Sequence, residues 1–275
     1  MLPRWCQNIA MKHLGVLKPD TLVTLLNWIG IPIVALYVGS MFVYPWFASD
    51  CTWRSVENVW DRWQSLNVGM LAFVSSITAF NIGRYNAEKQ REREFMASKA
   101  FLPDALSGLA SYFADSAVLL RKGWAASLGN SINTVLPIPP PDFKVVFRDC
   151  IRHADREVGE YLARILRRLQ VHAARLAAFV DQQSDDTWVS PHQYNLVTYI
   201  YRLGELQAMV NRLFPFARGQ EPLDASALTW EDFKDAYGIL NFWIEDFRID
   251  DTNNLEAFTK RALGRADSMD AKQAA

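Results

Sequence analysis

In the N-terminal third of the chain two long stretches carry no charged residue, Thr21 to Ser49 and Trp63 to Gly83. In the first, the apolar run Thr21 to Phe47 exceeds the about 20 residues that a helix needs to cross ~30 Å of hydrocarbon, and a modest tilt absorbs the excess. Pro32 predicts a kink within it. A cleaved leader is not the reading: the run is too long, starts too far in and lacks a small-residue cleavage site. The second span, Gln64 to Gly83, is more polar, with Asn67, Ser75, Ser76, Thr78 and Asn81. A buried helix of a soluble domain would read similarly. Its length, Trp60 and Trp63 at one end and Tyr85 at the other favour a bilayer. Small residues recur in it at Ser65, Gly69, Ala72, Ser76, Ala79 and Gly83, in steps of four and three. Such a seam lets a second helix approach closely. The partner is either the first span, where Ala35 and Gly39 are small, or another copy of the chain; a pore lined by the polar residues is a third reading.

Beyond Gly83 the pattern becomes that of water-facing helices. Nothing breaks a helix before Pro103, and Glu88 with Arg91, Lys89 with Glu92 and Gln90 with Glu94 sit at pairing distances. The second span is therefore expected to continue as one long helix. Phe95, Leu102, Leu106, Leu109, Phe113, Ala117, Leu120 and Trp124 form one apolar face, with a kink or short break at Pro103. Consecutive prolines exclude Val135 to Asp142 from any helix interior. A single helix is expected from Asp142 to Val180, with its seam at Phe143, Phe147, Cys150, Ala154, Val158, Tyr161, Ile165, Leu169, Ala173, Leu176 and Val180. Ser190, Pro191 and Gln193 read as cap, first position and capping-box partner of the next helix, which Pro215 should stop at Phe214. Thr229 and Asp232 open another, burying Phe233, Tyr237, Leu240, Trp243, Ile244 and Phe247. A short helix follows Thr252. No segment alternates with period two.

The expected fold class is all-α: an N-terminal two-helix transmembrane hairpin followed by a cytoplasmic bundle of long antiparallel helices. The divisions are 1–20, a cytoplasmic segment; 21–83, the hairpin, with spans 21–47 and 64–83 and an outer loop 48–63; 84–265, the helical domain; and 266–275, a frayed tail.

Charge orients the hairpin. Arg4, Lys12 and Lys18 precede it, and Arg84, Lys89, Arg91, Arg93 and Lys99 follow it. The intervening loop has Arg54 and Arg62 against Asp50, Glu57 and Asp61. The excess of cations inside places both termini in the cytoplasm of a bacterial inner membrane, with Trp46, Trp53, Trp60 and Trp63 at the outer interface. A net charge of −1 gives no global basic field, so nucleic acid is not an expected partner. Cys6, Cys51 and Cys150 form no CxxC, and His13, His153, His172 and His192 are scattered, so neither a disulfide framework nor a metal site is expected. No cofactor motif occurs.

A basic stripe runs along the third quarter: Lys144, Arg148, Arg152, Arg156, Arg164, Arg168 and Arg175. From 144 to 175 there are eight basic and four acidic residues, and from 181 to 270 eight and sixteen. The stripe is either a face for anionic headgroups, a nucleotide or RNA, or a solvated face neutralised by the acidic C-terminal half. Two R-x4-H patterns lie in the same region, Arg148 to His153 and Arg167 to His172. They resemble the R-x(4–6)-H motif of HEPN-domain ribonucleases, which are all-helical. That resemblance implies an Arg holding a phosphate and a His acting as general acid or base, and it makes Arg148 and His153 the catalytic candidates. His153 also lies beside the apolar seam, where a packing role suffices. No other catalytic motif is present, so no catalytic residue is assigned. The stretch SKAFLPDALSGLASYF, Ser98 to Phe113, resembles a pattern of uncharacterised bacterial two-span inner-membrane proteins, which carries no residue roles. The expected function is that of a membrane-anchored interaction or signalling protein, with an unknown cytoplasmic protein partner and self-association through the second span. The alternative is a triggered effector, either an oligomer that perturbs the membrane or a HEPN-like ribonuclease.

Overall fold

A computed structural model of the chain describes residues 19–48, 52–127, 135–184, 192–250 and 252–273. Every regular element among them is helical. The chain divides into two compact units, Met1–Ala87 and Glu88–Ala275.

In the first unit, α1 (Pro19–Val38) passes through Pro32 without interruption. The irregularity falls later. A π-helical turn at Gly39–Val43, closed by Tyr44 N–H donating to Gly39 O, leads into α2 (Tyr44–Ala48). Pro45 explains where it falls: proline has no N–H to return to the Met41 carbonyl. The Trp60 indole donates to that carbonyl instead, at 3.0 Å. The expected outer loop contains a helix, α3 (Trp53–Arg62), whose aromatics continue the contact. Phe42 lies edge-on to Trp60 with centroids 5.2 Å apart, and Trp53 packs on both Trp46 and Trp60. The next helix, α4, runs from Gln64 to Lys99 without a break. Tyr37 donates to the Asn67 side chain, and a Cβ at Gly30 would touch Ile77. As one helix advances from 30 to 37 the other retreats from 77 to 67, so α1 and α4 are antiparallel. The end of α4 carries the three anticipated pairs, Glu88–Arg91 at 2.9 Å, Lys89–Glu92 at 2.7 Å and Gln90–Glu94 at 2.8 Å.

In the second unit, a short break at Ala100–Phe101 precedes α5 (Leu102–Ser127), with Pro103 in the first turn, where its missing N–H costs nothing. Leu102, Leu106, Leu109, Phe113, Ala117, Leu120 and Trp124 are all buried. The single helix expected from Asp142 to Val180 is two, α6 (Phe143–His153) and α7 (Arg156–Ser184), because Ala154 is extended. No glycine or proline announces this break. Asp155 starts α7, its carbonyl accepting from Gly159 N–H at 2.9 Å, as an aspartate favours a helix start. The apolar seam nonetheless stays inward, every member being buried or half-buried.

The following helix, α8 (Gln193–Ala217), starts from His192, whose ring accepts from Tyr194 N–H. Ser190 and Pro191, read as its cap, lie outside the described residues, as do Cys6, Cys51 and His13. It runs through Pro215, which was expected to stop it: in the last turn a proline forfeits one bond, and Arg218 N–H still reaches Phe214 O. Helix α9 (Trp230–Ile239) opens with the anticipated capping box of Thr229 and Asp232. It ends sooner than expected, with Asn241 in the left-handed region at φ 55°. Phe242 is consequently buried and Trp243 is exposed, the reverse of the helical extrapolation. Helix α10 (Leu255–Gln273) extends into the segment expected to fray.

Helix α8 packs against α5, α7, α9 and α10. Leu196, Val197, Ile200, Leu203, Leu206, Met209, Val210 and Leu213 leave almost no face exposed, as a helix apolar all round requires. Gly204 lets α9 in: a Cβ there would sit 2.4 Å from a ring carbon of Tyr237. The Tyr237 ring is fully buried and its hydroxyl shares a 2.8 Å bond with Thr259 of α10. Arg212 fastens the 218–229 loop, binding both oxygens of Asp232 (2.9 and 2.7 Å) and the carbonyls of Ser226 and Ala227. Burial alone would raise the Asp232 pKa, but these bonds and those from Thr229 hold it below its ordinary value.

Gly204→Ala is expected to displace the Tyr237 ring and cost about 1–3 kcal/mol, read as a lower thermal midpoint, whereas Gly264→Ala, with open space at its Cβ position, should not lower it.

Candidate functional site

The break at Ala154 divides the basic stripe. Lys144, Arg148 and Arg152 are exposed on α6, and Arg156 and Arg164 are exposed on α7. Arg148 pairs with Asp149 at 3.0 Å and Arg156 with Glu160 at 2.7 Å. Arg168 and Arg175 join a different constellation. They line a cavity of about 250 Å³ with Arg167, Val171 and His172 of α7 and Tyr199, Arg202 and Glu205 of α8.

Helical periodicity assembles each wall. Residues 164, 167, 168, 171, 172 and 175 share one face of α7, in steps of three and one. Residues 199, 202 and 205 share one face of α8. Glu205 is buried within α8's apolar surroundings and needs counter-charge. Arg168 binds one of its oxygens at 2.9 Å and Arg202 the other at 3.0 Å. Arg167 and Arg175 make no hydrogen bond or ion pair with a described residue. Four guanidiniums therefore face one carboxylate.

His172 is the most deeply buried member of this lining. It is 3% exposed, its Nε2 has no hydrogen-bond partner among the described residues, and Tyr112 lies edge-on to its ring with centroids 6.3 Å apart. Burial, reinforced by the Arg175 charge, lowers its pKa from 6.5 to about 4. It is therefore neutral at pH 7, able to donate from one ring nitrogen and accept at the other.

The other R-x4-H pattern is arranged differently. Arg148 is turned to Asp149, while the Nδ1 of His153, half-buried, lies 3.1 Å from Glu94. Arg91 pairs with Asp155 nearby, at 3.1 Å. These contacts fasten the end of α4 to the α6–α7 break. Among the two patterns, Arg167 and His172 share a cavity. Cys150 is buried, and burial with the neighbouring Asp149 pushes its thiol up to about 11, which leaves it a packing group.

In the first unit, the small-residue seam does not meet α1 among the described residues. The α4 face toward α1 carries Asn67, Met70, Ile77 and Asn81, the less exposed positions of this stretch. Ser65, Gly69, Ala72, Ser76, Ala79 and Gly83 stand two residues from that register, about 200° round the helix. All six are exposed, and no atom of a described side chain lies within 4 Å of a Cβ built at Gly69 or Gly83.

Compared with known proteins, the chain matches no family model, no curated protein and no solved structure.

The reading of the sequence placed Arg168 and Arg175 on a binding face and paired Arg167 with His172. It missed Arg202 and Glu205, whose signal, an Arg-x-x-Glu step on an otherwise apolar helix, gains meaning only beside α7.

The histidine makes stability depend on pH. Between about pH 4 and 6.5 the unfolded chain holds a proton that folded His172 refuses, so stability rises with pH across that window. Its contribution is complete above pH 6.5 and is lost as pH falls toward 4, on the order of 2–4 kcal/mol. Calorimetry from pH 7 to 4 is expected to show a shallower fall in thermal midpoint for His172→Phe than for the wild type; parallel curves would contradict the assignment.

Proposed function

We propose that the chain is a protein of the bacterial inner membrane, anchored by α1, α2 and the first part of α4, whose helical unit acts by binding a partner and not by catalysis. The observation that carries this reading is apolar surface without protein cover. Trp28, Leu36, Phe47, Val68 and Leu71 are each 62–81% exposed, and the window of α4 apolar enough to span has none of its residues buried. Water-soluble proteins rarely leave so much contiguous apolar surface open, whereas a bilayer is its natural solvent.

The polar residues of the second span fit that solvent. Ser76 donates to Ala72 O at 2.8 Å and Thr78 to Val74 O at 2.9 Å, while Asn67 is bonded to Tyr37. Hydroxyls that return to their own helix, and an amide bonded across the pair, can enter hydrocarbon at reduced cost. The aromatic cluster of Phe42, Trp46, Trp53 and Trp60 supports an interfacial position for the connection between spans. The distribution of cations supports cytoplasmic termini, with the helical unit on that side.

A second reading is supported by the open seam. Six small residues facing away from α1 offer a surface for another copy of the chain, and an oligomer built that way would perturb the membrane. The ribonuclease alternative at Arg148 and His153 draws no such support, since both side chains are held by carboxylates.

Alkaline phosphatase fused after Asn58 is expected to be active and after Lys99 inactive, and the protein should stay with membranes through carbonate extraction; the reverse fusion pattern would overturn the orientation. If the seam assembles copies, Gly69→Leu should abolish crosslinked oligomers in membranes, while Leu71→Ile should leave them unchanged.

A further inference from the structure

The arginine cavity between α7 and α8 has the composition of a binding site beyond anything that anchoring requires. Among the described residues its lining holds four arginines and no lysine, and one carboxylate that two of those arginines already bind. A surplus of three positive charges therefore faces one small space. Structural pairing accounts for Arg168 and Arg202, which Glu205 holds in place. It does not account for Arg167 and Arg175, which have no such partner. Nor does it account for His172, a buried member of the lining whose Nε2 has no hydrogen-bond partner among the described residues. A buried polar atom without a partner is uncommon and marks a place where a hydrogen-bonding group belongs.

Size and charge narrow the ligand. The cavity, about 250 Å³ and open to solvent, has room for a phosphate or diphosphate group with attached atoms. A carboxylate would be neutralised by one guanidinium; a group of charge near −2 calls for the surplus present. Planar guanidinium forks fit phosphate oxygens in pairs. Val171 and Tyr199 supply apolar walls for the attached carbons.

We propose that the cavity lined by Arg167, Arg168, His172, Arg175 and Arg202 binds the phosphomonoester or diphosphate group of a small ligand. Glu205 holds Arg168 and Arg202 in position, the exposed Arg167 and Arg175 close on the phosphate oxygens, and His172 supplies a neutral hydrogen-bonding group. The same chemistry is offered by a free phosphorylated metabolite and by the headgroup of phosphatidic acid.

The test uses the full chain in maltoside micelles and three probes: pyrophosphate, glycerol 3-phosphate and dihexanoyl phosphatidic acid. Titration calorimetry is expected to show saturable binding of at least one. The double variant Arg167→Gln, Arg175→Gln should weaken it roughly tenfold to a hundredfold. Both positions are exposed, so the thermal midpoint should hold. Val171→Trp, which narrows the cavity without changing a charge, should give a comparable loss. Arg148→Gln, on the same stripe outside the cavity, should leave affinity unchanged. Binding of the two soluble probes upholds the proposal with a free metabolite as source. Binding of the short-chain lipid alone upholds it with a headgroup as source. The proposal fails if no probe saturates below about 10 mM, or if Arg148→Gln weakens binding as much as the cavity variants do.

Discussion

The enclosure of α8 is the constraint on which the helical unit rests. A helix surrounded by four others has little free face on which to leave a charge or a bulky misfit. Each exception to its apolar sequence must be met by a neighbour. Gly204 is one exception, a gap that Tyr237 fills. Glu205 is another, and its burial is tolerable because two guanidiniums reach it. Arg212, at the far turn, binds the acidic cap of α9 and the loop before it. The three sites lie within nine positions of one another, and each assigns a different neighbouring segment to its place. The cavity beside Glu205 follows from the same constraint: drawing two arginines to a buried carboxylate gathers charge between α7 and α8.

The first unit answers to a different rule. Its apolar residues point outward and few of its side chains are enclosed, so cohesion comes from a short set of directed contacts: Tyr37 to Asn67, Gly30 against Ile77, and the aromatic cluster around Trp60. Such contacts suffice where the surroundings match the side chains and need not be expelled. Asn67, one of the polar residues that lower the hydropathy of this part of α4, makes one of these directed bonds.

Much of this was legible in the sequence because helical periodicity survives local accidents. The seam from Phe143 to Val180 stays inward although the helix carrying it breaks at Ala154, since the register of apolar residues reports facing, not continuity. The Thr229–Asp232 box and the pairs from Glu88 to Glu94 were readable because they are local. What failed depended on distant partners. Pro215 does not end α8, because Leu213 and Phe216 on either side of it are already buried against other helices. Trp243 faces out because Asn241 takes a left-handed turn that no periodicity signals. The cavity was half legible: the α7 wall is written in one stretch as Arg-Arg, Val-His and Arg, but the α8 wall lies some thirty residues on. Only packing brings Glu205 to Arg168.

The bond from Trp60 to the Met41 carbonyl changes how the connection between the two apolar helices should be regarded. Connections of this kind ordinarily vary freely in length, since adding residues to a loop costs little. Here a helix carries the donor. One residue added or removed within α3 before Trp60 would swing the indole by about 100° and separate it from its acceptor. The segment is therefore graduated like a gear, open to exchange of its exposed side chains but fixed in its count of residues.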